Sequence, residues 1–226
     1  KPGKIQMDID LYLLNQTLSN DDLIFSLRFY TWEGDWISIG YHQKSIPTDW
    51  LSLSKKGVIK IIRRPSGGGA VLHSGGITYA LTFTKPNYKN FSYELVNDWL
   101  INSFSKLNII LKNGEIKKSA IRENCFGSAY ICDLVDNKGY KRIGSAQYSR
   151  KGSFLQHGEI LINPPKELWI KVFKEKAPPS IETGFSQDQI IQQLTNSFVE
   201  NYSNKSTKII NLNYEVLEKM MKQSKD

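Results

Sequence analysis

Residues 63–83 read RRPSGGGAVLHSGGITYALTF: two arginines, three consecutive glycines, a histidine, two more glycines and an alternating apolar run. The segment before it, GVIKIIRR (57–64), has the apolar, β-branched composition of a strand, and ITYALTFT (77–84) has the alternation of another. Consecutive strands joined by a glycine-rich connection favour a mixed or antiparallel sheet over a doubly wound parallel one. A Walker A loop is excluded, because no Lys-Ser or Lys-Thr follows the glycines. The dinucleotide pattern Gly-x-Gly-x-x-Gly fails as well, since Gly67 and Gly69 are followed by Leu72. What remains is bare backbone, able to approach a ligand closely and offer N–H groups to an anion. Arg63 and Arg64 add guanidinium forks suited to phosphate or carboxylate. The bland alternative is a wide hairpin whose glycines only relieve strain; the arginines before and the histidine after tilt the reading toward a site.

Outward from this loop the chain reads as α/β. Residues 7–18 form an opening helix, and 23–32 and 36–42 are strands around the turn-forming triplet Glu33-Gly34-Asp35. Helical spacing over 93–107 follows a candidate N-cap at Ser92. Further strands are expected over 128–135, 140–149 and 153–162, with a turn at Lys138-Gly139, closed by Pro164-Pro165. Helices follow over 166–174, 187–200 and 213–223, the second introduced by Ser186 and Gln189 at capping-box spacing. Residues 174–184 look like a linker. The expected division is a catalytic domain over 1–173 and a linker with a helical extension, packed on the same domain, over 174–226.

Two further constellations carry chemistry. In KRIGSAQYSRKGSFLQHGEIL (141–161), Lys141 stands on a strand beside the small residues Gly144, Ser145 and Ala146, which leave room for a ligand chain. A lone strand lysine is usually solvated, and a lone His157 usually structural. Cys125, in ENCFGSAY, is by itself most simply a small buried hydrophobe. A nucleophilic thiol needs a nearby cation, and a hairpin around Lys138-Gly139 would bring Lys141 within reach of it. Cys132 falls inside an apolar strand pattern and reads as core.

Composition narrows the classes. The 226 residues are 40% hydrophobic, enough for a substantial core. No apolar run reaches membrane-spanning length, no signal peptide is expected, and two cysteines make no disulfide framework, so a reducing cytoplasmic setting fits. The formal charge of +8 comes from scattered basic pairs without a nucleic-acid-binding motif. Three histidines without ligand spacing indicate no metal site, and no Gly-x-Ser-x-Gly elbow is present.

RRPSGGGAVLH, KRIGSAQ and LQHGEIL, in this order and spacing, resemble the biotin/lipoate protein ligase and octanoyltransferase superfamily over residues 7–163. The resemblance implies a central mixed or antiparallel sheet flanked by helices, akin to class II aminoacyl-tRNA synthetases and biotin ligases. RENCF and AYICDLV are similar to the cysteine-type octanoyltransferases, which places a nucleophile at Cys125 with Lys141 as its partner. The implied substrate-binding residues are Arg64, Ser66, Gly67, Gly68, Gly69, Ala70, Val71, Leu72 and His73, then Gly144, Ser145, Ala146 and Gln147, and His157 and Gly158. The reaction so implied moves an octanoyl group from acyl carrier protein, without cofactor, to a lysine of a lipoyl carrier domain. Such domains include glycine cleavage protein H and the E2 of 2-oxoacid dehydrogenases; neither nucleic acid nor membrane is a partner. The alternatives are a ligase using ATP, Mg and lipoate, an amidotransferase between carrier domains, and a carrier-binding protein without turnover. Gly69, as in ligases, and Glu159, where Ser or Thr is commoner, depart from the transferase pattern.

Overall fold

A computed structural model describes residues 3–19, 25–84, 93–115, 124–130 and 132–202. Its elements in chain order are α1 (Gly3–Ser19), β1 (Phe25–Tyr30), β2 (Trp36–Ile39), α2 (Thr48–Lys55), β3 (Lys60–Arg63), β4 (Val71–His73) and β5 (Ile77–Thr84). They continue with α3 (Tyr93–Ser105), β6 (Leu111–Asn113), a single 3-10 turn (Cys125–Gly127), β7 (Leu134–Asp136), β8 (Lys141–Arg150), β9 (Ser153–Ile160), α4 (Lys166–Phe173) and α5 (Gln187–Tyr202). Ser92 and the helix expected over 213–223 lie outside the described residues.

Six strands form an antiparallel sheet in the order β1-β5-β9-β8-β7-β6. A second sheet, β3-β2-β4, pairs β2 parallel to β3 and antiparallel to β4. The mixed and antiparallel strand pairing expected from the glycine-loop segment is therefore present. The Glu33-Gly34-Asp35 turn, however, joins strands of different sheets: β1 pairs with β5, and β2 enters the smaller sheet.

Alternation along β5 divides the packing. Ile77, Tyr79, Leu81 and Phe83 belong to one core with Trp99 and Phe104 of α3 and Ile190, Leu194 and Phe198 of α5. Thr78, Ala80 and Thr82 point to the opposite face, where Thr82 meets Thr17 of α1 at 2.8 Å and Ala80 packs with Leu14. A separate core joins the smaller sheet (Ile37, Ile39, Leu72) to Trp50 of α2 and Trp169 and Val172 of α4. Trp50 donates to the Val172 carbonyl at 2.8 Å, tying the two helices together. Each such buried aromatic contributes about 3–5 kcal/mol against truncation to alanine.

Two sequence readings are corrected, and one element was not expected. The strand expected over 128–135 is confined to Leu134–Asp136, because Asp133 and Tyr130 close a turn through Asp133 N–H to the Tyr130 carbonyl at 2.9 Å. Cys132, read as core, is only half-buried in that turn. Helix α2 has no counterpart in the pattern: it is eight residues long, follows Pro47 without a side-chain cap, and buries only Trp50. Residues 174–184 carry no helix or strand but are tied down, with Arg142 donating to the Pro179 carbonyl at 2.5 Å and Ile181 to that of Ile162 at 2.8 Å. At α5 the capping box closes reciprocally: Ser186 N–H donates to Gln189 Oε1 at 2.8 Å and Gln189 N–H to Ser186 Oγ at 3.3 Å.

Candidate active site

Cys125 sits at the head of the 3-10 turn, held by backbone on both sides. Asn124 caps the turn by accepting from the Phe126 N–H at 2.9 Å, and the Cys125 N–H donates to the Ala70 carbonyl at 2.8 Å. That bond fastens the cysteine segment to the strand leaving the glycine loop. Phe126 packs edge-on against Trp169 and anchors the turn from behind.

Lys141 is the first residue of β8, paired with Val135 at a register shift between β7 and β8. Its side chain is 3% exposed. The Nζ donates to the carbonyls of Cys125 at 2.7 Å and Ser128 at 3.2 Å, pairs with Asp133 Oδ2 at 2.8 Å, and lies 3.5 Å from Cys125 Sγ. Burial opposes the charge on Lys141, but Cys125 and Asp133 outweigh it and raise the ammonium above its usual range. Cys132 moves the other way: burial, reinforced by Asp133, pushes its thiol up to about 11. Gly144 makes the cysteine–lysine approach possible. A Cβ there would lie 2.9 Å from Lys141 Cε and 3.5 Å from Cys125 Sγ.

The arginines are spent differently from the phosphate forks read in the sequence. Arg64 is buried and donates to Ser38 O at 2.9 Å and to the carbonyls of Gly67 and Gly69, both at 2.7 Å. Arg63 donates to the carbonyls of Gly40, Tyr41 and Gln43 at 2.8–3.0 Å. The loop therefore turns two of its carbonyls onto Arg64, with Gly68 between them at φ +92°. Burial lowers the Arg64 guanidinium from its ordinary value, and Cys125 opposes that shift.

A partly open cavity lies beside Cys125. Of the residues expected to bind substrate, Arg64, Gly68, Val71, His73, Gly144, Ser145, Ala146, His157 and Gly158 line it. Ser66, Gly67, Gly69, Ala70, Leu72 and Gln147 do not. Along β4 the alternation sends Val71 and His73 into the cavity and Leu72 into the second core, where Ala70 also packs. Ser66 lies behind the wall on His157 Nε2 at 2.5 Å, and Gln147 donates to Gln156 at 2.8 Å. Lys141 does not line the cavity either; it stands beneath the cysteine.

Met7, Tyr30, Trp32, Ser38, Thr78 and Glu159 complete the lining and were not singled out as ligand contacts in the sequence. Glu159, the uncommon residue after His157-Gly158, accepts from Thr78 Oγ1 at 2.5 Å and faces His73 Nδ1 at 2.8 Å. His73 Nε2 lies 2.7 Å from Ser38 Oγ, and Trp32 stacks on the imidazole at 4.2 Å. This wall is a connected buried network. His157 is held below its usual range by burial, against the pull of Asp10 3.5 Å away, and is neutral near pH 7.

The arrangement brings a thiol, a buried cation and a largely apolar cleft together, which suits acyl transfer through sulphur. Comparison with known proteins agrees in family. The model of the lipoyl protein ligase A/B catalytic domain matches residues 2–204. The chain is 35% identical over 165 residues to the octanoyltransferase LipM of Clostridioides difficile, covering 68% of this chain and 59% of that protein. It is 30% identical over 215 residues to the octanoyltransferase LipM of Geobacillus kaustophilus, covering 88% and 77%. Among solved structures, a lipoate-protein ligase A bound with ATP superposes with a TM-score of 0.73 at 21% identity, covering 99% of this chain and 90% of that one. The bipartite lipoate protein ligase of Thermoplasma acidophilum gives 0.69 at 20%, covering 99% and 88%. The match to the C. difficile relative thus spans about three fifths of that protein's length, while the family model takes in nearly all of this chain: it belongs to the lipoyl protein ligase A/B catalytic-domain family.

Proposed function

We propose that the chain is an octanoyltransferase that carries the acyl group as a thioester on Cys125. The observation behind this reading is the 3.5 Å approach of Cys125 Sγ to the buried Lys141 Nζ at the wall of the cavity. A thiolate at Cys125 attacks the thioester of an acylated acyl carrier protein, and the carrier's thiol departs. Lys141, fixed beneath the sulphur, places its ammonium 3.5 Å from the reacting atom. The acyl chain then lies in the cavity against Met7, Trp32, Val71 and Ala146. A lysine amine of a lipoyl carrier domain attacks the acyl-enzyme, leaving an amide on the carrier and a free thiol on Cys125. The net charge of +8 speeds encounter with acidic carriers.

The names of the relatives support the octanoyl donor. Arg64 also favours this reading over an ATP-dependent ligase, because its Nη1 and Nη2 already donate to the carbonyls of Ser38, Gly67 and Gly69. No cofactor is needed for the transferase; the ligase would need ATP and Mg. The test is transfer from octanoyl-acyl carrier protein to a purified lipoyl domain, with and without ATP. Transfer without ATP that vanishes in Cys125→Ala is expected. Modification that requires ATP and survives that substitution would replace the proposal with a ligase.

A further inference from the structure

Lys141 has a second buried neighbour besides the thiol, Asp133, to which no role was assigned from the sequence. Asp133 Oδ2 lies 2.8 Å from Lys141 Nζ, and both side chains are 3% exposed. Asp133 is itself fixed: its Oδ2 accepts from the Tyr130 N–H at 2.8 Å, and its own carbonyl accepts from the Gly114 N–H at 2.8 Å. An ammonium has three N–H donors. Three oxygens meet them here at 2.7, 2.8 and 3.2 Å, from Cys125, Asp133 and Ser128, whereas the sulphur stands farther off at 3.5 Å. Were Lys141 to release a proton to serve as a base, a buried carboxylate would lose its counter-charge.

We propose that Asp133 is a positioning residue that keeps Lys141 an ammonium through the whole cycle, so that Lys141 acts as a fixed cation and not as a proton carrier. This rests on the acyl-transfer reading above. The proton balance then runs between sulphur and nitrogen. In the first half-reaction the bond from acyl carbon to Cys125 Sγ forms and the bond to the donor sulphur breaks; the Cys125 thiol proton ends on the departing donor thiol. In the second, the amine nitrogen bonds to the acyl carbon, the bond to Sγ breaks, and one amine proton ends on Cys125. Lys141 gains and loses nothing.

The titratable groups acting on Lys141 are Cys125 and Asp133, with Cys132 beside them. Tyr79 and Tyr93 feel Asp133 from the sheet and α3, and Arg64 feels Cys125 from the glycine loop. Of these, Asp133 alone combines a short contact with a full opposite charge whenever the thiol is protonated. Removing its charge leaves burial, which lowers the ammonium, less opposed. The alkaline limit of activity, set by loss of the Lys141 proton, then falls.

The experiment follows the rate of acyl-thioester formation on Cys125 by mass spectrometry across neutral to alkaline pH, for the native protein, Asp133→Asn and Asp133→Glu. The alkaline limb is expected to move down by about one pH unit or more in Asp133→Asn and to return toward the native position in Asp133→Glu. An unmoved limb in Asp133→Asn, or equal shifts in both variants, overturns the proposal. If Asp133→Asn does not fold, NMR titration of the native protein decides, with the Lys141 signal assigned through Lys141→Arg. Retention of the proton beyond the pH at which exposed lysines lose theirs upholds the proposal; loss at or below that pH overturns it. A native protein that forms no thioester on Cys125 refutes the acyl-transfer reading instead, and the lysine titration still judges the ion pair.

Discussion

Two walls of the same cavity are built on opposite plans. The glycine loop is held by a cation bound to its backbone: Arg64, which also lines the cavity, clasps the Gly67 and Gly69 carbonyls, while Arg63 clasps those of Gly40, Tyr41 and Gln43 in the segment after β2. The cysteine turn is held by a cation whose position is also its chemistry, since Lys141 binds the Cys125 carbonyl and approaches its sulphur together. Three basic residues flank the site, yet only one is placed to touch a reacting atom. Basic residues beside a glycine loop are therefore not by themselves anion ligands. Where the backbone carbonyls point decides.

The sharpest way to break this comparison is to remove the sulphur. Cys125→Ala should lower acyl transfer by on the order of 10⁴-fold while leaving the thermal unfolding midpoint nearly unchanged. Arg64→Met should do the reverse: three backbone carbonyls lose a buried donor, so a stability loss of about 3–5 kcal/mol in urea titration is expected. If Arg64→Met instead stays stable and loses activity, the arginine contacts ligand and the contrast fails.

Gly144→Ala sharpens the other wall. Its new Cβ would meet Lys141 Cε at 2.9 Å, a neighbour that can yield only by displacing the ammonium. Turnover should fall by about 10- to 100-fold with little change in KM for the carrier domain, as steady-state kinetics would read. The smallest effect concerns His157, behind which Ser66 and Asp10 lie. Its folded-state value is depressed below 6.5, so the unfolded chain binds the proton first on acidification. Stability should therefore decline as pH falls through 6.5 toward that depressed value, and decline less steeply in His157→Gln, as denaturant titrations at several pH values would show.

These contrasts also mark what the sequence made legible. The partnership of Cys125 and Lys141, 16 residues apart, followed from a turn at Lys138-Gly139, and the antiparallel pairing of β7 with β8 supplies it. The Ser186–Gln189 box was readable because it is local. Asp133 was not, because its contact depends on a turn from Tyr130 to Asp133 and a register shift at Leu134/Val135 that no periodicity announces. Tyr30 and Trp32 reach the cavity because β1 pairs with β5, placing Tyr30 opposite Thr78. That pairing spans 48 positions of chain. The backbone carbonyls that Arg63 and Arg64 meet were not legible for a related reason: guanidinium geometry suits phosphate and carbonyl alike, and the fold supplies the carbonyls.

The intact mass of the purified protein, after mixing with octanoyl-acyl carrier protein in the absence of ATP, reads the acyl-enzyme itself. A gain of one octanoyl group is expected, released by neutral hydroxylamine and mapped to Cys125. An unmodified protein, or an adduct that persists in Cys125→Ala, would contradict it.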